Sequence, residues 1–180
     1  MKKLLLTFIL AAFGVANVNA QDKQDIQFGI KGGLNFSSLY GEAEYFETVT
    51  SFNFGFIAEI PINGKFSFQP ELLYSGQGSS GGGNTLDLSY LNLPLIGKYY
   101  VAKGFSLEAG PQIGYLSSAK LNGSSVTSNY ERMEVGVNVG VGYKLDNGIN
   151  FGVRYNFGLT NINDFNGRNG VLQFSVGYFF

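Results

Sequence analysis

Seven ionisable side chains fall on one face of otherwise apolar, alternating segments: Glu59, Glu71, Lys98, Glu108, Glu134, Lys144 and Arg154. Four carboxylates in such a set could work as general acid–base pairs. They could equally pair with the three bases inside a packed interior, because buried charge is tolerated when partnered. The inventory around them narrows the chemistry. The chain has no histidine and no cysteine, which excludes serine–histidine and aspartate–histidine activation, thiolate nucleophiles and disulfides. Pairing in an interior is therefore the expected role, with no catalytic residue, no metal and no cofactor.

Other motifs carry less. Ser79–Asn84 is glycine-rich but lacks the GK[ST] of a phosphate loop and precedes no helix, so a flexible loop is expected. Residues 161–167 (NINDFNG) gather oxygen ligands without the later glutamate of a calcium loop; they read as solvated loop. Glu42, Glu44 and Glu47, with Tyr40, Tyr45 and Phe46, form either a partner surface or an ordinary loop.

The elements that must position the seven charges are strands. Glu134 to Gly158 reads EVGVNVGVGYKLDNGINFGVRYNFG. Valines alternate without a slip, turn at Asp146-Asn147-Gly148, and resume with Ile149, Phe151, Val153, Tyr155 and Phe157, as in a β-hairpin. Six more segments share the pattern: Ile26–Ser37, Ser51–Ile60, Lys65–Ser75, Leu88–Val101, Phe105–Tyr115 and Val171–Phe180. Short turns alternate with long loops at 38–50, 76–87, 117–129 and 161–169. Pro70, Pro94 and Pro111 interrupt three of the segments, and a local bulge is expected at each.

One domain is expected from 180 residues. The net charge of −1 gives no reason to expect nucleic acid as a partner. Charged residues make up 14%, whereas Gly (26) and Phe plus Tyr (17 and 11) are plentiful; soluble chains carry about a quarter charged residues. Lys2 and Lys3, the apolar run Leu4 to Val15 and Val18-Asn19-Ala20 have the layout of a signal peptide. Cleavage after Ala20 is expected, leaving a barrel over residues 21–180.

Which face points inward decides the function. Within the strands the charges lie opposite the apolar stripe, among Gly55, Gly110, Gly140, Asn92, Gln112, Asn138 and Asn156. On a lipid face a mid-membrane Arg or Lys would cost about 2–4 kcal/mol, so this segregation fits a membrane barrel with its charges inside. Eight segments of about ten residues, joined alternately by short turns and longer loops, match the signature of an outer-membrane barrel. The fold class expected is all-β: an eight-stranded antiparallel up-and-down transmembrane β-barrel. A soluble lipocalin-like carrier would reverse the faces, leaving a glycine- and asparagine-rich exterior poorly suited to β structure.

FGIKGGLNFSSL (28–39), FSFQPELLYSGQG (66–78), YLNLPLIGKYY (90–100), GPQIGYLSSAK (110–120), VRYNFGLTNI (153–162) and the terminal QFSVGYFF occur in this order. Together they resemble the PorT-like small outer-membrane β-barrel proteins of Bacteroidota, over nearly all of the chain. The resemblance implies an outer-membrane location and an eight-stranded barrel, and no single activity. Its name-giving members are associated with a protein-secretion apparatus and are longer than this chain. Phe174, Val176, Tyr178 and Phe180 resemble the C-terminal signal read by the barrel-assembly machinery. Enzymes on such barrels rely on histidine, so a non-enzymatic role is expected: structural, or partner-binding through the four loops, in contact with outer-membrane lipid. A narrow pore for ions or small solutes is the alternative.

Overall fold

The computed structural model describes residues 25–40, 47–161 and 167–180. The leader expected over residues 1–20 lies outside them, as do Glu42, Glu44, Tyr45 and Phe46 of the first loop and residues 162–166 of the last.

Eight long strands make the wall: β1 (Gln27–Tyr40), β2 (Glu47–Pro61), β3 (Phe66–Gly81), β4 (Asn84–Ala102), β5 (Phe105–Leu121), β7 (Met133–Lys144), β8 (Ile149–Gly158) and β9 (Arg168–Phe179). A two-residue strand β6 (Ser124–Ser125) and a 3-10 turn (Thr127–Asn129) lie between β5 and β7. Each long strand pairs antiparallel with its neighbours, and β1 closes the ring on β9 from Gly29↔Phe179 to Tyr40↔Arg168. Closure leaves no long sheet edge unpaired. Tight turns join β2–β3, β4–β5 and β7–β8 at one end, where β1 begins and β9 ends; this is the turn end, and the opposite one the loop end.

Strict alternation fixes the faces, because a one-residue slip would turn every side chain over. Phe52, Phe54 and Phe56, Leu107 and Ile113, Val135 and Val139, Phe174 and Val176 all point outward and are exposed. Aromatic pairs gather toward both ends, Phe66 with Tyr99 at the turn end and Phe36 with Phe174 toward the loop end, as interfacial girdles do. The inward positions are mainly polar: Lys31, Asn35, Asn53, Glu71, Lys98, Glu108, Asn138 and Arg154 are all buried, with Ile57, Leu73 and Ile96 among them. A soluble carrier needs the opposite arrangement and an open interior, so that reading is corrected.

The strands overrun their expected ends at the loop end. Residues 76–87 are not a loop: β3 runs to Gly81, β4 starts at Asn84, and Gly82 and Gly83 turn the chain with φ of 59° and 78°. Two consecutive left-handed residues suit a two-residue hairpin whose twist matches its strands. Residues 117–121 likewise extend β5, with Asn122 and Gly123 (φ 50° and 84°) turning into β6. Glycine and serine there read as loop, yet alternate Gln77, Ser79, Leu86 and Leu88 are buried inside.

The expected proline bulges are absent. Pro70, Pro94 and Pro111 stay in register opposite Leu95, Gln112 and Val137. On the other side of each proline the ladder is interrupted, at Ala58·Pro70, Glu71·Pro94 and Leu95·Pro111, and it resumes with register unchanged. Each proline gives up bonding on one side, so the interruptions form a diagonal seam across β2 to β5. Register shifts fall elsewhere, at Ser89/Tyr90, Tyr100/Ala102 and Thr48/Asn53. The first of these has a visible effect: it leaves Ser117 unpaired and sends Leu116 and Ala119, three apart, both inward.

The seam is tight as well as sparse. A Cβ on Gly110 would collide with the Leu95 carbonyl, whereas one on Gly64, in the β2–β3 turn, meets nothing within 4 Å. Gly110→Val is expected to abolish refolding into detergent, and Gly64→Ala to leave it intact. The heat-dependent shift in gel mobility of a folded barrel measures both.

Candidate functional site

Among the described residues, charge concentrates in the lumen. Seven ionised groups form an unbranched chain of alternating sign. Lys31 Nζ donates to Glu71 at 2.7 Å, Arg154 bridges Glu71 (2.8 Å) and Glu108 (2.6 Å), Lys98 reaches Glu108 (3.7 Å) and Glu59 (3.2 Å), and Lys144 ends the run on Glu59 at 3.0 Å. The order is Lys31, Glu71, Arg154, Glu108, Lys98, Glu59, Lys144. Each member comes from a different strand: β1, β3, β8, β5, β4, β2 and β7. One continuous interaction therefore ties together every long strand except β9.

Neutral groups complete the coordination. Gln69 donates to Glu71 at 2.6 Å and accepts from Lys98 at 3.1 Å, and the Tyr100 hydroxyl donates to Glu59. Small residues make the room. A Cβ at Gly140 would press on Arg154 Cγ, and one at Gly142 on a Glu108 carboxylate oxygen, so β7 leaves space for side chains of β5 and β8 to cross the axis. A void of about 10 Å³ remains among Lys31, Gln69, Lys98, Glu108 and Arg154, room for about one water.

Nearer the loop end the lumen is lined by neutral amides and hydroxyls, with Glu134 its one carboxylate among the described residues. Asn35 donates to Ser75 (2.9 Å) and accepts from Asn53 (2.8 Å) and Gln173 (3.1 Å), while Asn138 donates to Gln112 at 3.2 Å. Above this amide layer an apolar cluster of Leu39, Leu86, Leu88, Tyr90, Leu116 and Ala119 fills the barrel, with Val126 and Tyr130 packed against it. At the turn end the floor of the lumen opens on a vestibule of about 820 Å³ that includes Gln27, Glu59, Tyr100, Lys144 and Phe179. There Lys103 and Asp146 meet at 2.6 Å on the surface; hydrogen bonding to Asp146 and its charge hold the Lys103 amine above its usual range.

Six of the seven residues singled out from sequence, Glu59, Glu71, Lys98, Glu108, Lys144 and Arg154, lie in this chain of charges. Glu134 stands apart, buried near the loop end and accepting from Asn169 Nδ2 at 3.0 Å, with no base in contact among the described residues. Lys31 is the member that sequence reading passed over. Its signal was its phase, two residues from Gly33 and four from Asn35, but outward-facing Gly32 breaks the apolar stripe there and blurs which face is which. The apolar cap was hidden for a related reason, since Leu86 and Leu88 lie in a segment read as loop. Phe174, Val176, Tyr178 and Phe180 line the outer face of the last strand and its end.

An antiparallel ring with an apolar exterior and its charges sealed inside is a membrane-spanning β-barrel. The chain belongs to the outer membrane protein beta-barrel domain family, whose model matches residues 19–164, and the family places it in the outer membrane. Neisserial surface protein A has the same fold: a TM-score of 0.65 at 16% identity, over 87% of this chain and all of that one. So does Ail, the attachment invasion locus protein of Yersinia pestis, with a TM-score of 0.57 at 15% identity and the same coverage. No curated protein sequence matches the chain significantly.

Removing one partner of a buried ion pair strands the other, which costs about 3–5 kcal/mol. Arg154→Ala cuts the chain in two, leaving Glu71 with Lys31 alone and Glu108 with Lys98 at 3.7 Å, and is expected to lower stability by about that amount. Lys103→Ala breaks only a solvent-exposed pair and is expected to leave the unfolding midpoint unchanged. Urea titration in lipid vesicles, followed by gel mobility because the chain has no tryptophan, separates the two.

Proposed function

We propose that this barrel is a non-enzymatic outer-membrane protein that acts through its loop end, as a structural or partner-binding element, and that its lumen is a strut. The observation that carries this reading is the filled interior: paired charges leave a void of about 10 Å³, and the apolar cluster occludes the loop end. An eight-stranded lumen is just wide enough for side chains to fill. The lumenal carboxylates of the chain of charges are each held by bases, which supports a structural role over acid–base chemistry. The order of motifs quoted above supports a place among the PorT-like proteins of Bacteroidota. The leader supports export with cleavage after Ala20, and the outward aromatic row of the last strand supports recognition by the barrel-assembly machinery.

The pore reading keeps one specific point in its favour, the wide vestibule at the turn end. Planar-bilayer recording discriminates. The wild-type barrel is expected to show no unitary conductance, and steady channel steps would refute the strut. The partner reading has its own test, mild cross-linking in native cells followed by purification in gentle detergent. Replacing residues 122–130 with a glycine–serine linker is expected to leave the barrel folded and to remove its cross-linked partner. An unchanged cross-linking pattern would overturn the assignment of binding to that strap.

A further inference from the structure

Glu134 raises a question that the chain of charges does not answer. Its carboxylate is 3% exposed, touches no base among the described residues, and accepts one hydrogen bond of normal geometry, from Asn169, with the Tyr90 hydroxyl as its other polar neighbour. Around it lie oxygens that are buried and unpartnered: Glu134 Oε1 itself, Asn169 Oδ1, Asn92 Oδ1 and the Tyr90 hydroxyl. Asn169 and Tyr90 are 0% exposed and Asn92 4%. Burying polar atoms without partners is costly, so four around one carboxylate call for an occupant.

Geometry brings them together. Asn92 and Glu134 flank Gly114 in the ladder. A Cβ on Gly114 would sit 2.7 Å from Asn92 Oδ1, 3.3 Å from the Tyr90 ring and 3.6 Å from Glu134 Cβ. A Cβ on Gly158 would sit 3.3 Å from Glu134 Oε1 and 2.7 Å from the Asn169 carbonyl. The two glycines thus leave room beside Asn92 Oδ1 and Glu134 Oε1 that a larger residue would take.

We propose that this pocket, beneath the apolar cap, binds one hard cation through Glu134, Asn169, Asn92 and Tyr90, with sodium as the ion of choice. The Tyr90 hydroxyl and a single water together carry three protons, one for each of the three remaining acceptor oxygens, but neither supplies the positive charge that a carboxylate buried without a base lacks, whereas a cation supplies it and serves all the oxygens together. Turning an amide over exchanges an oxygen for a nitrogen but still leaves the carboxylate without positive charge. An oxygen-only set with no nitrogen or sulfur suits alkali and alkaline-earth ions over transition metals. One formal charge among neutral oxygens favours a monovalent ion, since calcium affinity grows with the number of charged ligands. Seclusion under the cap preserves the attraction by keeping the pair out of water.

The test uses the full barrel refolded in detergent, melted in sodium chloride and in choline chloride at equal ionic strength. An ion that binds only the folded state raises Tm with its concentration and then saturates the site. Sodium is expected to give a saturating upward shift that choline does not. Glu134→Gln is expected to lose it; should that variant not fold, Asn92→Leu, which removes an oxygen that holds no hydrogen bond, is expected to weaken it. Asn92→Asp adds a second carboxylate and is expected to transfer the response to calcium. Equal Tm in sodium and choline, as for a water-filled pocket, would overturn the proposal, as would a sodium shift retained in full by Glu134→Gln or Asn92→Leu.

Discussion

The alternating chain of charges through the lumen is the constraint on which the rest of this barrel depends. Once ions are placed inside a ring of eight strands, the surrounding choices narrow sharply. Each ion needs an opposite neighbour, so the run from Lys31 to Lys144 alternates in sign. Long side chains need width that a narrow barrel lacks, so glycines stand where Arg154 and Glu108 cross. Buried ion pairs are weak evidence of net stability, because desolvation offsets much of the attraction. Their stronger effect is on register. A strand slipped by one residue would withdraw its ion from the chain and expose it to lipid.

The exterior obeys a different solvent with the same economy of pattern. Outward residues are apolar because hydrocarbon offers no hydrogen bonds, and the backbone is satisfied by closing the ring. The proline seam is the exception, a diagonal along which ladder bonding is given up on one side of each proline. The register either side of it is continuous, held by the long ladders of β3, β4 and β5.

How much of this was legible follows from what alternation encodes. A period of two separates the faces: the clean apolar stripes of β2, β5 and β7 gave the membrane reading, and the same alternation along six strands marked six of the seven linked charges. Alternation fails where a glycine takes an outward position, as Gly32 does beside Lys31, and where both faces are weakly apolar, as in residues 76–87. It is also silent about which ions meet. Glu134 has the same phase as Glu71, yet lies at another height in the barrel, and only the staggered register of neighbouring strands reveals its isolation. The bulge that turns Leu116 and Ala119 inward together leaves no mark in composition.

The unequal strands have a consequence for shape. β4 has 19 residues and β8 has 10, and at about 3.3 Å per residue the difference is roughly 30 Å of strand. Both reach the same turn-end rim, so the wall made by β3, β4 and β5 stands tall while the strands β7 and β8 stop short. The apolar cap leans against the tall side. Among the described residues, this mouth has a backrest on one flank and a low sill on the other. A cylinder has no preferred approach around its axis; this molecule has a front and a back.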